Sequence, residues 1–292
     1  MELEYHKHAF ELAGLKPEWN EENLKILDEK ESLFDIQFPQ ALREWYALEN
    51  REDLLLSHSL IDYSESLQEF GNHSSWDELP DPEDVPEAVY NRLLRYNELF
   101  AKRKVLSIFS EQQGMIGWFL KLNHKEDPEV LVQLEDNRHE LYSYKNTFSE
   151  LIYTSVWDGI IVYGLGNFSG YYVEAVGKKL SRKALKYIED KLGLLPSSQN
   201  PGTKRMILRA GQIGEGLTSW QDRDSARYFF HASELKPLQR LMNHFFRLNL
   251  LTGDFTCNYV AFEGEEDYKR KEEEMQDFLK KSFSLLQKES VY

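Results

Sequence analysis

Cysteine is nearly absent: Cys257 is the single one in 292 residues, so an intramolecular disulfide framework is excluded and a reducing compartment is expected. No apolar run approaches the roughly 18 residues that a membrane-spanning helix needs. The opening MELEYHKHAFELAG has no basic stretch leading into an apolar one, so no secretion signal is expected and the chain reads as cytoplasmic. Basic residues are missing from one long tract. Between Arg51 and Arg92 stand 11 acidic side chains and no Lys or Arg. What is present is a hydrophobic fraction of 41% with 13% aromatics, enough to fill real cores and to exclude disorder over most of the length.

The net charge of −15 is unevenly placed. Residues 1–158 hold 33 Asp and Glu against 15 Lys and Arg, whereas residues 159–292 hold 17 against 20. Such a field over the first half repels nucleic acid and anionic membranes and attracts basic partners. A solvated surface or a mobile acidic loop would have the same composition, so charge alone does not decide between these readings.

Along the chain, NEENLKILDEKESLFD predicts a helix capped by Asn20, with acidic residues in its first turn. FPQALREWYALEN restarts a helix with Pro39 in the first turn and Leu42, Trp45 and Tyr46 on the buried face. Glu52 to Glu87, broken by Gly71, Pro80, Pro82 and Pro86, predicts a surface insertion, after which a helix resumes over AVYNRLLRYNELF. From Lys104 the period shortens: KVLSIFSEQQGMIGWFLKL predicts a hairpin, and DPEVLVQL and HELYSYKN predict further strands. Thr147 to Glu150 fits a capping box that opens a closing helix.

The glycine-rich stretch Gly159–Gly170 marks the expected boundary between a domain at 1–158 and a second at 159–292. The second reads as a strand over Tyr171–Val176, a helix over Ser181–Leu192 and a loop over Pro196–Gly202. Strands near Arg205–Ala210 and Ala226–Phe230, a helix from Glu234, a strand at Thr256–Phe262 and a final amphipathic helix from Glu265 complete it. The fold class expected throughout is α+β: helices packed on a mostly antiparallel sheet, then a second α+β region.

Read in order, ILDEKESLF, FPQALREWYALEN, FSEQQGMIGWFLKL, EDPEVLVQL and NTFSELIYTSVW resemble the SMI-KNR family of the SUKH superfamily over residues 20–158. The resemblance implies bacterial immunity proteins that bind and neutralise polymorphic toxins, often nucleases; the alternative is a regulatory scaffold of the cell-wall-synthesis type. It implies neither catalysis nor a cofactor. The residues at matching positions are Pro39, Trp45, Glu111, Gln112, Trp118, Asp127 and Pro128. Trp118 is expected to pack beside the hairpin and Asp127-Pro128 to set a turn. Glu111 and Gln112 either face a partner or cap a turn. Under this resemblance the partner is a basic toxin domain, with no nucleic acid and no membrane. The acidic tract supplies Asp77, Glu78, Asp81, Glu83, Asp84 and Glu87 as its charged surface. Trp76 is then either the apolar anchor such an interface needs or a loop tryptophan folded back onto the sheet.

Catalytic constellations are scarce. GLGNFSG (Gly164–Gly170) lacks the spacing of a dinucleotide fingerprint, and GQIGEG (Gly211–Gly216) lacks the Lys-Ser/Thr of a phosphate loop. His6 and His8 sit near a terminus expected to fray, without metal-ligand spacing. His124, Glu126 and Asp127 read as solvated turn residues.

Overall fold

The N-terminal segment is held by a residue far along the chain. The backbone N–H groups of Glu4, Tyr5 and His6 donate to the carboxylate of Glu44 at 2.6, 3.0 and 2.7 Å, and helix α1 (Lys7–Ala13) begins directly after them. Gly14, at φ 68°, closes that helix in the left-handed region that glycine adopts without strain. The computed structural model describes residues 2–58, 61, 63–64, 81–102, 104–110, 116–134, 137–165, 170–199, 204–212, 214–261 and 265–289. Within it the chain divides into two compact units, Met1–Val156 and Trp157–Tyr292.

In the first unit, α2 (Glu21–Phe34) starts as its sequence predicts: the Asn20 side chain accepts from Glu22 N at 2.9 Å, with Glu21 and Glu22 in the first turn. Helix α3 (Gln40–Ala47) follows, with Pro39 at its N-cap rather than inside the first turn. The tract read as a surface insertion begins instead as helix α4 (Arg51–His58), which buries Leu54 and Leu55. Strand β1 (Tyr63–Ser64) then pairs with the sheet. The run LLL is too short for helical periodicity to show, which is why charge dominated the reading. Helix α5 (Glu87–Ala101) leads into β2 (Val105–Ser110), β3 (Ile116–Lys121), β4 (Val130–Leu134) and β5 (Asn137–Lys145). Strands β1 to β5 lie side by side in that order, each antiparallel to its neighbour.

The core of this unit is aromatic. Trp45 of α3 meets Phe109 of β2 edge-on at 5.9 Å and Phe148 at 6.0 Å. Phe148 opens α6 (Phe148–Tyr163), which buries Leu151, Ile152 and Val156 as well. His6 belongs to the same cluster. It is 1% exposed, with its ring 5.3 Å from Trp45 and 5.1 Å from Phe148, so the expectation of a frayed terminus is wrong. Its Nε2 lies 2.9 Å from the Ala41 carbonyl oxygen, which can only accept, so Nε2 carries the proton. Burial pushes the imidazole below its ordinary pKa, opposed by that bond and by the carboxylates of Glu44 and Asp127.

The second unit starts on the last turns of α6, so the glycine-rich joint is shorter than its composition suggests. Gly159 is helical, and the chain turns at Gly164, φ 64°. Then come β6 (Gly170–Gly177), α7 (Arg182–Leu192), β7 (Leu194–Gln199), β8 (Met206–Gln212), β9 (Glu215–Gln221) and β10 (Ala226–Ala232). Helix α8 (Leu235–Arg247), β11 (Leu251–Ala261) and α9 (Glu265–Glu289) complete the unit. The strands form an antiparallel sheet in the order β11-β6-β10-β9-β8-β7. Two of them run where the sequence predicted otherwise. β7 occupies part of the expected Pro196–Gly202 loop; it is an edge strand with Pro196 at a register irregularity, a place that tolerates a missing N–H. β9 was missed because it buries the small polar residues Thr218 and Ser219 rather than an alternating apolar set.

One face of this sheet carries Val173, Leu217, Tyr228 and Phe230 into a core with Ala184 and Ile188 of α7, Leu241 and Phe245 of α8, and Met275 of α9. Thr218 and Gly216 flank Leu217 and so point to the opposite face. There the Trp157 indole donates to Thr218 Oγ1 at 2.9 Å. Gly216 is a glycine because a Cβ would stand 3.0 Å from both Trp157 and Ile161. Beside them Arg209, 1% exposed, donates through Nε to Asp158 Oδ1 at 2.7 Å and through Nη2 to Oδ2. Its Nη1 donates to the Pro196 carbonyl at 3.2 Å and to Ser198 Oγ at 3.0 Å.

Candidate functional site

The charged surface singled out in the sequence is described from residue 81 onward. Asp81 shapes a turn: its side chain accepts from Glu83 N at 3.1 Å and its carbonyl from Asp84 N at 2.9 Å. The Pro86 carbonyl then accepts from Val89 N and Tyr90 N, which starts α5. Asp81, Glu83, Asp84 and Glu87 are all exposed, and none of the four makes an ion pair among the described residues. An ion pair between Arg92 and Glu140, 2.8 Å, ties α5 to β5. Four carboxylates therefore stand within seven residues at the head of a helix anchored to the sheet. Trp76, Asp77, Glu78, Glu111 and Gln112 lie outside the described residues.

The remaining motif residues serve the scaffold. Pro39 and Pro128 are buried, and Trp45 is fully enclosed. Trp118 shares a face with Phe109 and Val132, its register partners on either side, and is itself partly covered. Asp127 does more than set a turn. Its Oδ1 accepts from the backbone N–H of Phe148 at 2.9 Å and of Ser149 at 3.1 Å, and its Oδ2 accepts from Ser149 Oγ at 2.5 Å. It thus caps α6 from 21 residues away, adding to the local bond from Glu150 N to Thr147 Oγ1. A carboxylate at a helix N-terminus gains from both the unpaired N–H groups and the helix dipole. Asp127→Ala is expected to cost about 1–2 kcal/mol, read as a lower urea midpoint of the full chain, with Asp127→Asn milder because one acceptor remains. A variant indistinguishable from the native chain would deny Asp127 this role.

The neighbouring Glu126 carbonyl accepts from Ala41 N at 2.9 Å, and its carboxylate accepts from Tyr5 Oη at 3.2 Å. The turn Glu126–Asp127 therefore joins the N-terminal segment, α3 and α6. Next to it opens a cleft of about 740 Å³ between the α2–α3 connection and the β3–β4 turn, lined by Asp35, Phe38, Lys102, Lys104, His124 and Lys125 among others. His124 is exposed at φ 63°, whereas Asp127 is committed to the cap, so the His124, Glu126 and Asp127 cluster does not converge on one point. The cleft offers ammonium groups for an anionic moiety. Its described lining holds no hydroxyl or thiol nucleophile.

Among the described residues, no three His, Cys, Asp or Glu side chains are placed to hold a metal ion, and no helix is long and apolar enough to cross a membrane. No family model, curated protein or solved structure matches the chain.

Proposed function

We propose that this chain is a non-catalytic partner-binding protein, an immunity protein whose acidic first unit occupies the basic surface of a toxin domain. The observation that carries the reading is where the charge sits: 33 acidic against 15 basic residues within 1–158, with a balance of opposite sign beyond. A nuclease presents a basic groove to phosphates, and an acidic turn can fill that groove as a charge mimic. Complementary charge accelerates encounter by orders of magnitude, which suits a protein that must catch a toxin before it acts. The resemblance of residues 20–158 to the SUKH superfamily points the same way.

The test is co-expression with the toxin encoded next to this gene. Growth should be rescued, and the two chains should form a complex at low salt. Reversing Asp81, Glu83, Asp84 and Glu87 together should then slow association by roughly tenfold or more at low ionic strength, with less effect as salt rises. An unchanged association rate removes this turn from the interface. Absence of both rescue and complex ends the immunity reading. A regulatory scaffold is the second reading, favoured by the presence of two units that each have their own core. Recovery of housekeeping proteins and no toxin would select it.

A further inference from the structure

The second unit carries a surface of the opposite sign. Residues 178–188 contain Lys178, Lys179, Arg182, Lys183 and Lys186 and no acid, before Glu189 and Asp190 in the last turns of α7; α8 contains Lys236, Arg240 and Arg247 and no acid. All eight side chains are exposed, and none makes an ion pair or hydrogen bond among the described residues.

Part of this charge gathers on one face because α7 and α8 are neighbours. Ala184 and Ile188 share a core cluster with Leu238, Leu241 and Phe245. Above that core the rings of Tyr187 and His244 stack with centroids 3.4 Å apart and planes 13° from parallel. Lys236, Arg240, His244 and Arg247, spaced by four, four and three, fall on one stripe of α8. Burial lowers the His244 pKa, and Arg247 from its own helix and Lys183 from α7 lower it further, so both cations bear on the stacked pair. Arg240 acts on Tyr187 from the same side, where the one acid to register is Glu215.

We propose that the α7–α8 face is a docking surface for an acidic protein segment, with carboxylates on these unpaired cations around the Tyr187–His244 stack. This stands apart from the role given to the first unit. Charge complementarity fixes the sign of the occupant, and the half-buried aromatic pair supplies the desolvated centre that interfaces need. An acidic segment is favoured over nucleic acid because the whole chain carries −15. A duplex, with a charge every ~1.7 Å, would feel that repulsion along its length, whereas a helical segment with carboxylates about 6 Å apart presents a few charges locally.

The experiment uses the full chain and three probes at low salt: a labelled glutamate-rich helical peptide, an oligothymidylate of equal charge, and phosphatidylserine vesicles. The peptide should bind at least about tenfold more tightly than the oligonucleotide. The triple reversal Lys183→Glu, Arg240→Glu, Arg247→Glu should weaken it by about tenfold or more at an unchanged urea midpoint. Tyr187→Phe should retain affinity while Tyr187→Ala loses several-fold, a difference that charge attraction alone does not produce. Should the triple variant fail to fold, hydrogen exchange of the native chain decides, with peptide-induced protection expected in α7 and α8. No peptide binding, equal or tighter binding of the oligonucleotide or vesicles, affinity that survives the triple reversal, or protection elsewhere each overturns the proposal.

Discussion

Replacing Asp158 with alanine is expected to lower the stability of the second unit by about 3–5 kcal/mol, the largest effect of any single substitution considered. Arg209 is 1% exposed, and its guanidinium stays charged at any accessible pH. Asp158 meets it with both carboxylate oxygens, the geometry in which an Arg–carboxylate pair is strongest. Pro196 O and Ser198 Oγ satisfy Nη1 but carry no formal charge. Removing the carboxylate therefore takes the two-oxygen counter-charge away from a buried cation, a cost set by desolvation rather than by the net worth of the pair. The double variant Asp158→Leu, Arg209→Met should recover most of the loss, because the charge that needed a partner is gone. Urea unfolding of the full chain, with hydrogen exchange on β8–β10 to assign the transition to this unit, measures both. A loss below about 1 kcal/mol for Asp158→Ala would mean that water or another group compensates Arg209.

The second large effect is on pH. His231 is 2% exposed, lies 4.5 Å from Tyr172 ring to ring, and has neither ring nitrogen bonded among the described residues. Burial pushes its pKa down to about 4 from the ordinary 6.5. The unfolded chain then takes up a proton first as the pH falls, so the native state loses ground between pH 6.5 and 4 and no further below that. The loss from this residue reaches about 3 kcal/mol at pH 4, at about 1.4 kcal/mol per unit. His231→Leu should flatten that part of the stability profile relative to the native chain, while the background from carboxylates remains in both. Parallel profiles for the two proteins would show that His231 takes up its proton in the folded state as readily as in the unfolded chain.

Local signals in the sequence were enough for much of the fold. The Asn20 cap, the helical stripe of Leu42, Trp45 and Tyr46, the helix from Ser181 and the short β-favouring runs that form β2 and β3 needed only near neighbours. What stayed hidden depends on partners distant in sequence. α1 is seven residues long and owes its place to Glu44, which lies 38 residues beyond His6. The Asp158–Arg209 fork spans 51 positions, and nothing local marks either residue as buried. Of the candidate interface, the charge imbalance was plain from composition, and the structure adds that Asp81–Glu87 sits on an ordered stem. The cationic face escaped notice because its charges are split between two helices about 50 residues apart that only the core brings together.

Helix α6 belongs to both units, and that has a consequence during synthesis. Phe148, Ile152 and Val156 complete the first core, whereas Trp157, Asp158 and Ile161 wait for Arg209, Gly216 and Thr218, which the ribosome adds roughly 50–60 residues later. At about 5–20 residues per second the nascent chain spends several seconds with an apolar helix end and an unpaired carboxylate in water. A chain severed after residue 158 would keep that condition permanently. It would carry the first unit's full acidity together with a sticky stub, and dissection of the two halves should place the cut before Trp157 for the second and accept a frayed end for the first.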